Sequence, residues 1–234
     1  RSNKASMGIY IFNWEVLKEA LETLSEQPGC DFGMHVIPYC HKRGDKIMAY
    51  NYQGYWKDVG TLSAYWEANM ELIDIIPEFN LYEEFWRIYT KTDVIPPQYF
   101  SADSKVKACI VGDGTEVYGD ISNSVIGAGV VIEEGAVVTN SIIMNNTVIK
   151  KGAKIEKSII AERVEVGENT ELGVFEEAEN KYKPNVYSGG LVTIGEGSVI
   201  PANVKIGKNV AIVGKTTAED YPDGILASGE SIIR

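Results

Sequence analysis

From Ile126 onward an aliphatic side chain returns at near-fixed intervals, at Ile132, Val138, Ile143, Ile149, Ile155, Ile160, Val166 and Leu172. The step is six residues, with a five at every third place. Two positions before each mark sits a small or β-branched residue: Ser124, Val130, Ala136, Ser141, Thr147, Ala153, Ser158, Val164 and Thr170. The double series stops over 173–191. It returns at Ile194, Ile200, Ile206 and Ile212, preceded by Val192, Ser198, Val204 and Val210.

A six-residue period fits neither an amphipathic helix nor a hairpin array. It predicts a parallel β-helix with three short faces per coil. At about 3.3 Å per residue, a face holds a few strand residues and a corner. The aliphatic mark points inward and stacks on the coil above, and the small residue fills what interior is left. Gly127, Gly129, Gly135, Asn145, Asn146, Gly152 and Gly167 are the expected corners. Steps of six, six and five complete one coil, with one shortened corner. The first coil, around Val111 and Val117, is less regular, and 173–191 reads as a loop thrown off one corner. The pattern resembles the hexapeptide-repeat proteins, and that resemblance implies a left-handed β-helix over 101–234.

Residues 1–76 read as mixed α/β. "MGIYIF" (7–12) predicts a buried strand. "NWEVLKEALETL" predicts a helix, with Asn13 as N-cap and Val16, Leu17, Ala20, Leu21 and Leu24 at helical spacing. "DFGMHVIPYCHKRG" reads as a turn, a short apolar stretch and a Gly stop. "KIMAYNYQGYWKDV" is rich in β-formers, broken by Gly54. "TLSAYWEANMELI" predicts a helix capped by Thr61. Residues 77–100 form a linker: "PEFNLYEEFWRIYT" packs five aromatics into fourteen residues, and "VIPPQYF" imposes an extended path. A docking surface between domains is the preferred role for those aromatics.

Charge narrows the partners. Lys and Arg number 22 against 33 Asp and Glu, a net charge of −11. Such a chain repels polyanions, which argues against nucleic acid and anionic membranes as partners. No apolar run approaches the roughly 18 residues of a spanning helix. Cys30, Cys40 and Cys109 show no CxxC spacing, which suits a reduced cytoplasmic setting without a disulfide framework. His35 and His41 are the two histidines, and six residues apart they do not share a helix face. Acyl transfer on a β-helix needs a general base at a coil corner, usually histidine; no histidine follows His41. The prism therefore reads as a platform, and chemistry is expected in the front half. The start, "RSNKASMGIYIF", lacks Met and meets an apolar run almost at once, which predicts a chain cut from a larger one.

Four stretches carry a sharper signal: "ASMGIYIF" (5–12), "DFGMHVIP" (31–38), "YWKDVGTLSAYWEAN" (55–69) and "LVTIGEGSVIP" (191–201). In this order they resemble bacterial glucose-1-phosphate adenylyltransferase, the ADP-glucose pyrophosphorylase family. The fold implied is a partial α/β nucleotidyltransferase domain followed by the left-handed parallel β-helix. The reaction implied joins ATP and glucose 1-phosphate, releases pyrophosphate and makes ADP-glucose for glycogen synthesis. By the same resemblance, Ser6 contacts the sugar phosphate, and Tyr10, Asp31, Phe32 and Trp56 line the glucose pocket. Asp58 matches the metal-binding aspartate, with Mg²⁺ as cofactor. The family often has Lys after "DFG"; Met34 stands here, which removes one expected phosphate contact.

The resemblance also places the partner carboxylate of the metal, the Gly-rich nucleotide loop and a Glu-Lys pair outside this sequence, so the stretch alone is expected to be inactive. It implies a homotetramer, or a hetero-oligomer with a sister subunit. Two alternatives stay open: a non-catalytic regulatory or structural subunit of the same assembly, and a pyrophosphorylase of another nucleotide or sugar.

Overall fold

The computed structural model describes residues 5–26, 28–91 and 94–234. They form two compact units, 1–56 and 57–234. No helix among the described residues is long and apolar enough to cross a membrane.

The first unit is built on two helices. Helix α1 (Trp14–Leu24) starts after Asn13, whose backbone is extended and whose carbonyl accepts from the Leu17 amide at 3.1 Å. The Asn13 side chain makes no capping bond. The α1 face carrying Ala20 and Leu24 is buried against Val36 and Cys40, with Phe12, Val16, Leu17 and Tyr39 around them. The "DFGMHVIPYCHKR" stretch is more helical than its pattern predicts. One wide π-type turn, Phe32–Val36, runs into α2 (Ile37–Arg43). Asp31 explains the start, because its carboxylate accepts from the Met34 amide at 2.7 Å. Pro38 falls in the first turn of α2, where a missing N–H costs nothing. Gly44, at φ +88°, closes α2 through bonds from its amide to the Cys40 and His41 carbonyls. Arg43 ties α2 to α1 through Glu19 at 2.9 Å.

Two expectations fail in this region. Residues 7–12 are not a buried strand: Ile11 is 99% exposed, and no described residue pairs with this backbone. The β-rich stretch 46–59 forms no strand either. The reason is common to both. A strand is stable only with a ladder partner, and side-chain preference cannot supply one.

The second unit begins with α3 (Leu62–Glu71) and continues into the solenoid. Thr61 caps α3 as expected, its hydroxyl accepting from the Ala64 amide at 3.1 Å. The pattern groups this helix with the front half, but its contacts group it with the solenoid. Residues 77–98 have no regular structure among those described, and the first strand is Tyr99–Phe100.

From there the chain winds into a left-handed parallel β-helix of about eight turns. Strand register agrees with the coil length that the pattern predicts. Val125 pairs with Ile142, and Ile142 with Ile159. The Ser124 hydroxyl accepts from the Ser141 amide, and the Ser141 hydroxyl from the Ser158 amide, 17 residues on each time. The first coil is shorter. Val111 pairs with Ile126 and Val117 with Ile132, and the Thr115 hydroxyl accepts from the Val130 amide 15 residues on.

All the aliphatic marks from Ile126 to Leu172 and from Ile194 to Ile212 are buried, and so are the residues two places before them. Two of the buried serine hydroxyls among these, Ser124 and Ser141, both accept and donate. Ser124 accepts at 3.1 Å, as above, and donates to the Ser122 carbonyl at 2.7 Å. Ser141 repeats this one coil on, accepting at 3.0 Å and donating to the Thr139 carbonyl at 2.6 Å. A hydroxyl at this position mends backbone groups that the turning chain leaves unpaired.

The corners divide into two kinds. Gly129, Gly135, Asn146 and Gly152 take positive φ, as predicted. Gly127 and Gly167 do not; they are glycines because the next coil passes too close. A Cβ on Gly167 would lie 2.5 Å from the Ala202 nitrogen.

The three faces present different exteriors. On one, Lys154, Glu171 and Lys205 form a charged column, Glu171 lying 2.9 Å from Lys154 and 3.4 Å from Lys205. On another, the outward residues Val125, Ile142 and Ile159 are apolar, and Ile142 and Ile159 are buried with Leu191 under Leu62, Tyr65, Trp66 and Met70. That face is where α3 docks.

The interruption lies where the broken period predicts it. One strand ends at Leu172 and the next begins at Val192. Ile160 pairs with Ile194, and the Asn169 side chain donates to that of Asn203, 34 residues on. That separation is two coils, so the insert adds one coil's length of chain. Asn180, buried, pins it. Its amide donates to the Asn209 carbonyl at 2.7 Å, and its oxygen accepts from the Tyr182 and Lys183 amides.

Candidate functional site

Four of the five expected sugar-binding residues of the first unit, Ser6, Tyr10, Asp31 and Phe32, come together around the start of α1 and the π turn. The Ser6 hydroxyl lies 3.0 Å from the Tyr10 hydroxyl and accepts from the Gly8 amide at 3.2 Å. Gly8, at φ +73°, makes the bend that lets Ser6 face back to Tyr10. The Tyr10 ring stacks on Phe32, centroids 5.7 Å apart and planes 11° from parallel. Phe12 leans against both rings, at 6.3 Å from Tyr10 and 5.9 Å from Phe32.

Asp31 precedes Phe32. One carboxylate oxygen accepts from the Met34 amide, and its own amide donates to Nδ1 of His35 at 3.0 Å. That bond engages His35 within its own turn. Gly33 keeps the patch open: a Cβ there would meet the Asp31 carboxylate at 3.3 Å and the Tyr10 hydroxyl at 4.0 Å. Ser6, Tyr10, Asp31 and Phe32 therefore share one exposed patch. It offers two hydroxyls, a carboxylate and an aromatic surface. Aromatic faces pack against sugar C–H groups, the carboxylate accepts from sugar hydroxyls, and the two hydroxyls can donate to a phosphate. Phe12, the third ring of this cluster, is not distinguished by the sequence; its signal is only that it shares the run with Tyr10.

Trp56 stands apart. It is half exposed, and among the described residues it makes no ring stacking or hydrogen bond with the four.

Asp58 lies in the second unit. One of its oxygens accepts from the Gly60 amide at 2.9 Å, a tight turn that leads into the Thr61 cap. A Cβ on Gly60 would sit 3.0 Å from that oxygen, so glycine suits the turn. The preceding Lys57 folds back along α3, pairing with Glu71 and, at 3.4 Å, with Glu67. The hydrogen bond it donates to Glu71, then that to Glu67, holds the Lys57 ammonium above its ordinary pKa. Beside this turn, Val59, Gly60, Thr61, Leu62, Tyr65, Asn185 and Val186 line a pocket of about 300 Å³.

Among the described residues no cluster of three or more His, Cys, Asp or Glu could hold a metal. Asp58 nevertheless fits part of a Mg²⁺ site. Magnesium usually takes one or two carboxylates, with phosphate oxygens and water completing its shell. Asp58 is exposed and keeps an oxygen outside the Gly60 bond, so it can supply one hard ligand.

Comparison with known proteins divides the chain after α3, although the contacts of α3 are with the solenoid. Residues 1–75 match the nucleotidyl transferase family, and 97–194 match the GlmU-like C-terminal hexapeptide family. Over its whole length the chain is 73% identical to a protein from Lachnospira eligens named glucose-1-phosphate adenylyltransferase, and covers 55% of that protein. It is 52% identical to one of the same name from Thermotoga maritima, covering 56%, and 45% identical to one from Acetivibrio thermocellus, covering 55%. The chain spans about half the length of the curated relatives it matches. The resemblance carried by the four sequence motifs extends to every part of the chain.

Proposed function

We propose that these residues supply the sugar-phosphate side and the β-helix platform of a glucose-1-phosphate adenylyltransferase. The 73% identity along the full chain carries this reading. The gathering of Ser6, Tyr10, Asp31 and Phe32 into one exposed patch supports it.

In the reaction, a phosphate oxygen of glucose 1-phosphate attacks the α-phosphorus of ATP. A new P–O bond forms, the bond to the β-phosphate breaks, and pyrophosphate leaves with its electron pair. Such transfers depend on positioning and charge neutralisation more than on covalent help. The Ser6 and Tyr10 hydroxyls donate to the sugar phosphate and hold its attacking oxygen. Asp31 accepts from sugar hydroxyls. Phe32 and Tyr10 pack against the ring. Asp58 supplies one carboxylate ligand to Mg²⁺. When bound, that ion neutralises charge on the departing pyrophosphate. The remaining metal ligand and the ATP contacts belong to other parts of the whole protein. The product suits glycogen synthesis in the cytoplasm, by a homotetramer or an assembly with a sister subunit.

The test is pyrophosphate release by the whole protein from ATP, Mg²⁺ and glucose 1-phosphate. Asp58→Asn should lower kcat on the order of a hundredfold. Ser6→Ala should raise KM for glucose 1-phosphate about tenfold, the loss of one hydrogen bond to a charged group. Release only with another nucleotide or sugar phosphate would make it a different pyrophosphorylase. Binding without release from any pair would make it a regulatory subunit.

A further inference from the structure

The sequence offers no reason to single out Lys57, yet it fixes the turn that presents Asp58. Its ammonium reaches two carboxylates, Glu67 and Glu71, one helical turn apart on α3. Its side chain is 23% exposed, the most enclosed of the three. On the other side of Asp58, the Gly60 amide holds the carboxylate at 2.9 Å and Thr61 caps α3 at 3.1 Å. The segment 57–61 is thus fastened to α3 at both ends, with Asp58 between the fastenings.

The helix itself is fastened to the prism. Leu62, Tyr65, Trp66 and Met70 cover Ile142, Ile159 and Leu191, and the Trp66 indole donates to the Asn140 carbonyl at 2.8 Å. A continuous set of contacts therefore leads from the β-helix through α3 and Lys57 to the Asp58 turn.

We propose that Lys57 is a positioning residue that holds the Asp58 carboxylate ready for its metal. This rests on the reading of Asp58 as a Mg²⁺ ligand. An ion pair this close to solvent adds little to global stability. Its effect is local: without it, residues 57–60 are free to leave α3, and the metal must order them on binding. Groups that orient a metal ligand change metal affinity without touching the metal.

Two measurements on the whole protein test this. The first is amide hydrogen exchange at Gly60 in metal-free protein, which reports the Asp58 turn directly. The second is the Mg²⁺ concentration giving half-maximal pyrophosphate release. Lys57→Met should speed Gly60 exchange and raise the half-maximal Mg²⁺ about tenfold, with KM for glucose 1-phosphate little changed. Lys57→Arg, which keeps both ion pairs within reach, should restore both. A melting temperature close to that of the parent separates this from unfolding. If Lys57→Met changes neither quantity while Asp58→Asn raises the Mg²⁺ requirement, the positioning role is overturned and the metal reading stands. If Asp58→Asn leaves the Mg²⁺ dependence unchanged, the metal reading itself is overturned.

Discussion

The indole N–H of Trp66 donates to the main-chain oxygen of Asn140 at 2.8 Å. Asn140 is a coil corner at φ +51°, and Lys157, one coil further on, is the equivalent corner at +45°. The Lys157 ammonium lies 5.5 Å from the centre of the Trp66 ring. One aromatic side chain thus joins α3 to two successive corners. Trp66→Phe keeps most of the packing and removes the donor, so it should cost about 1 kcal/mol. Trp66→Ala, which also empties the contact, should cost about 3 kcal/mol. Urea denaturation of the chain measures both, and a Trp66→Phe variant as stable as the parent would show that the hydrogen bond contributes nothing.

The inward ladder should behave as a close-packed core. Ile143 is 1% exposed and pairs with Ile126 and Ile160 in the coils on either side. Ile143→Val should cost about 1 kcal/mol and Ile143→Ala between about 2 and 5 kcal/mol. The same change at Ile75, fully exposed, should be near neutral. Chemical denaturation distinguishes them.

Corner glycines should divide by mechanism. At Gly167 a methyl group would meet the backbone of the next coil at 2.5 Å, and backbone cannot swing aside. Gly167→Ala should cost about 1–3 kcal/mol through overpacking. Gly197 has positive φ with open space around it, as do asparagines at equivalent corners, so Gly197→Asn should be tolerated. Thermal melts of the two variants give the comparison.

Tyr221 predicts an alkaline transition. It is 2% exposed, and burial pushes its phenol up to about 12, against the hydrogen bond with Thr216 at 2.8 Å. The folded state therefore holds the proton more tightly than the unfolded chain. The resulting stability is fully present below about pH 10 and is lost as pH rises toward about 12. Tyr221→Phe should flatten that decline, which melting temperatures between about pH 9 and 12 would show. An unchanged slope would mean that other groups cause it.

The solenoid is legible because its stabilising contacts recur at a fixed separation in the chain. Ile126, Ile143 and Ile160 touch because each stands one coil from the last, and the sequence displays that interval. The front half lacks such a rule. Whether 7–12 becomes a strand depends on a partner backbone, about which the alternation of Ile9 and Ile11 says nothing. The position of α3 is readable in part: among the outward columns, one is aliphatic over three successive coils, at Val125, Ile142 and Ile159, before Thr193 interrupts it, a sign that something covers it there. Ser6, Tyr10, Asp31 and Phe32 emerge through motif resemblance, and the structure groups them. Lys57 escapes notice because it precedes the helix that carries its glutamates, and no spacing marks the pairing until the chain folds back.

The insert between Leu172 and Val192 adds chain equal to one full circuit, and the paired rows above and below it close as though nothing intervened. Its returning end passes the helix that carries Trp66, since a Cβ on Gly189 would lie 2.8 Å from the Ser63 hydroxyl. A column built this way can grow a new limb at a single vertex and leave every storey aligned. Length variation and structural integrity are thereby uncoupled, and the molecule can reshape what touches its helix without rebuilding its walls.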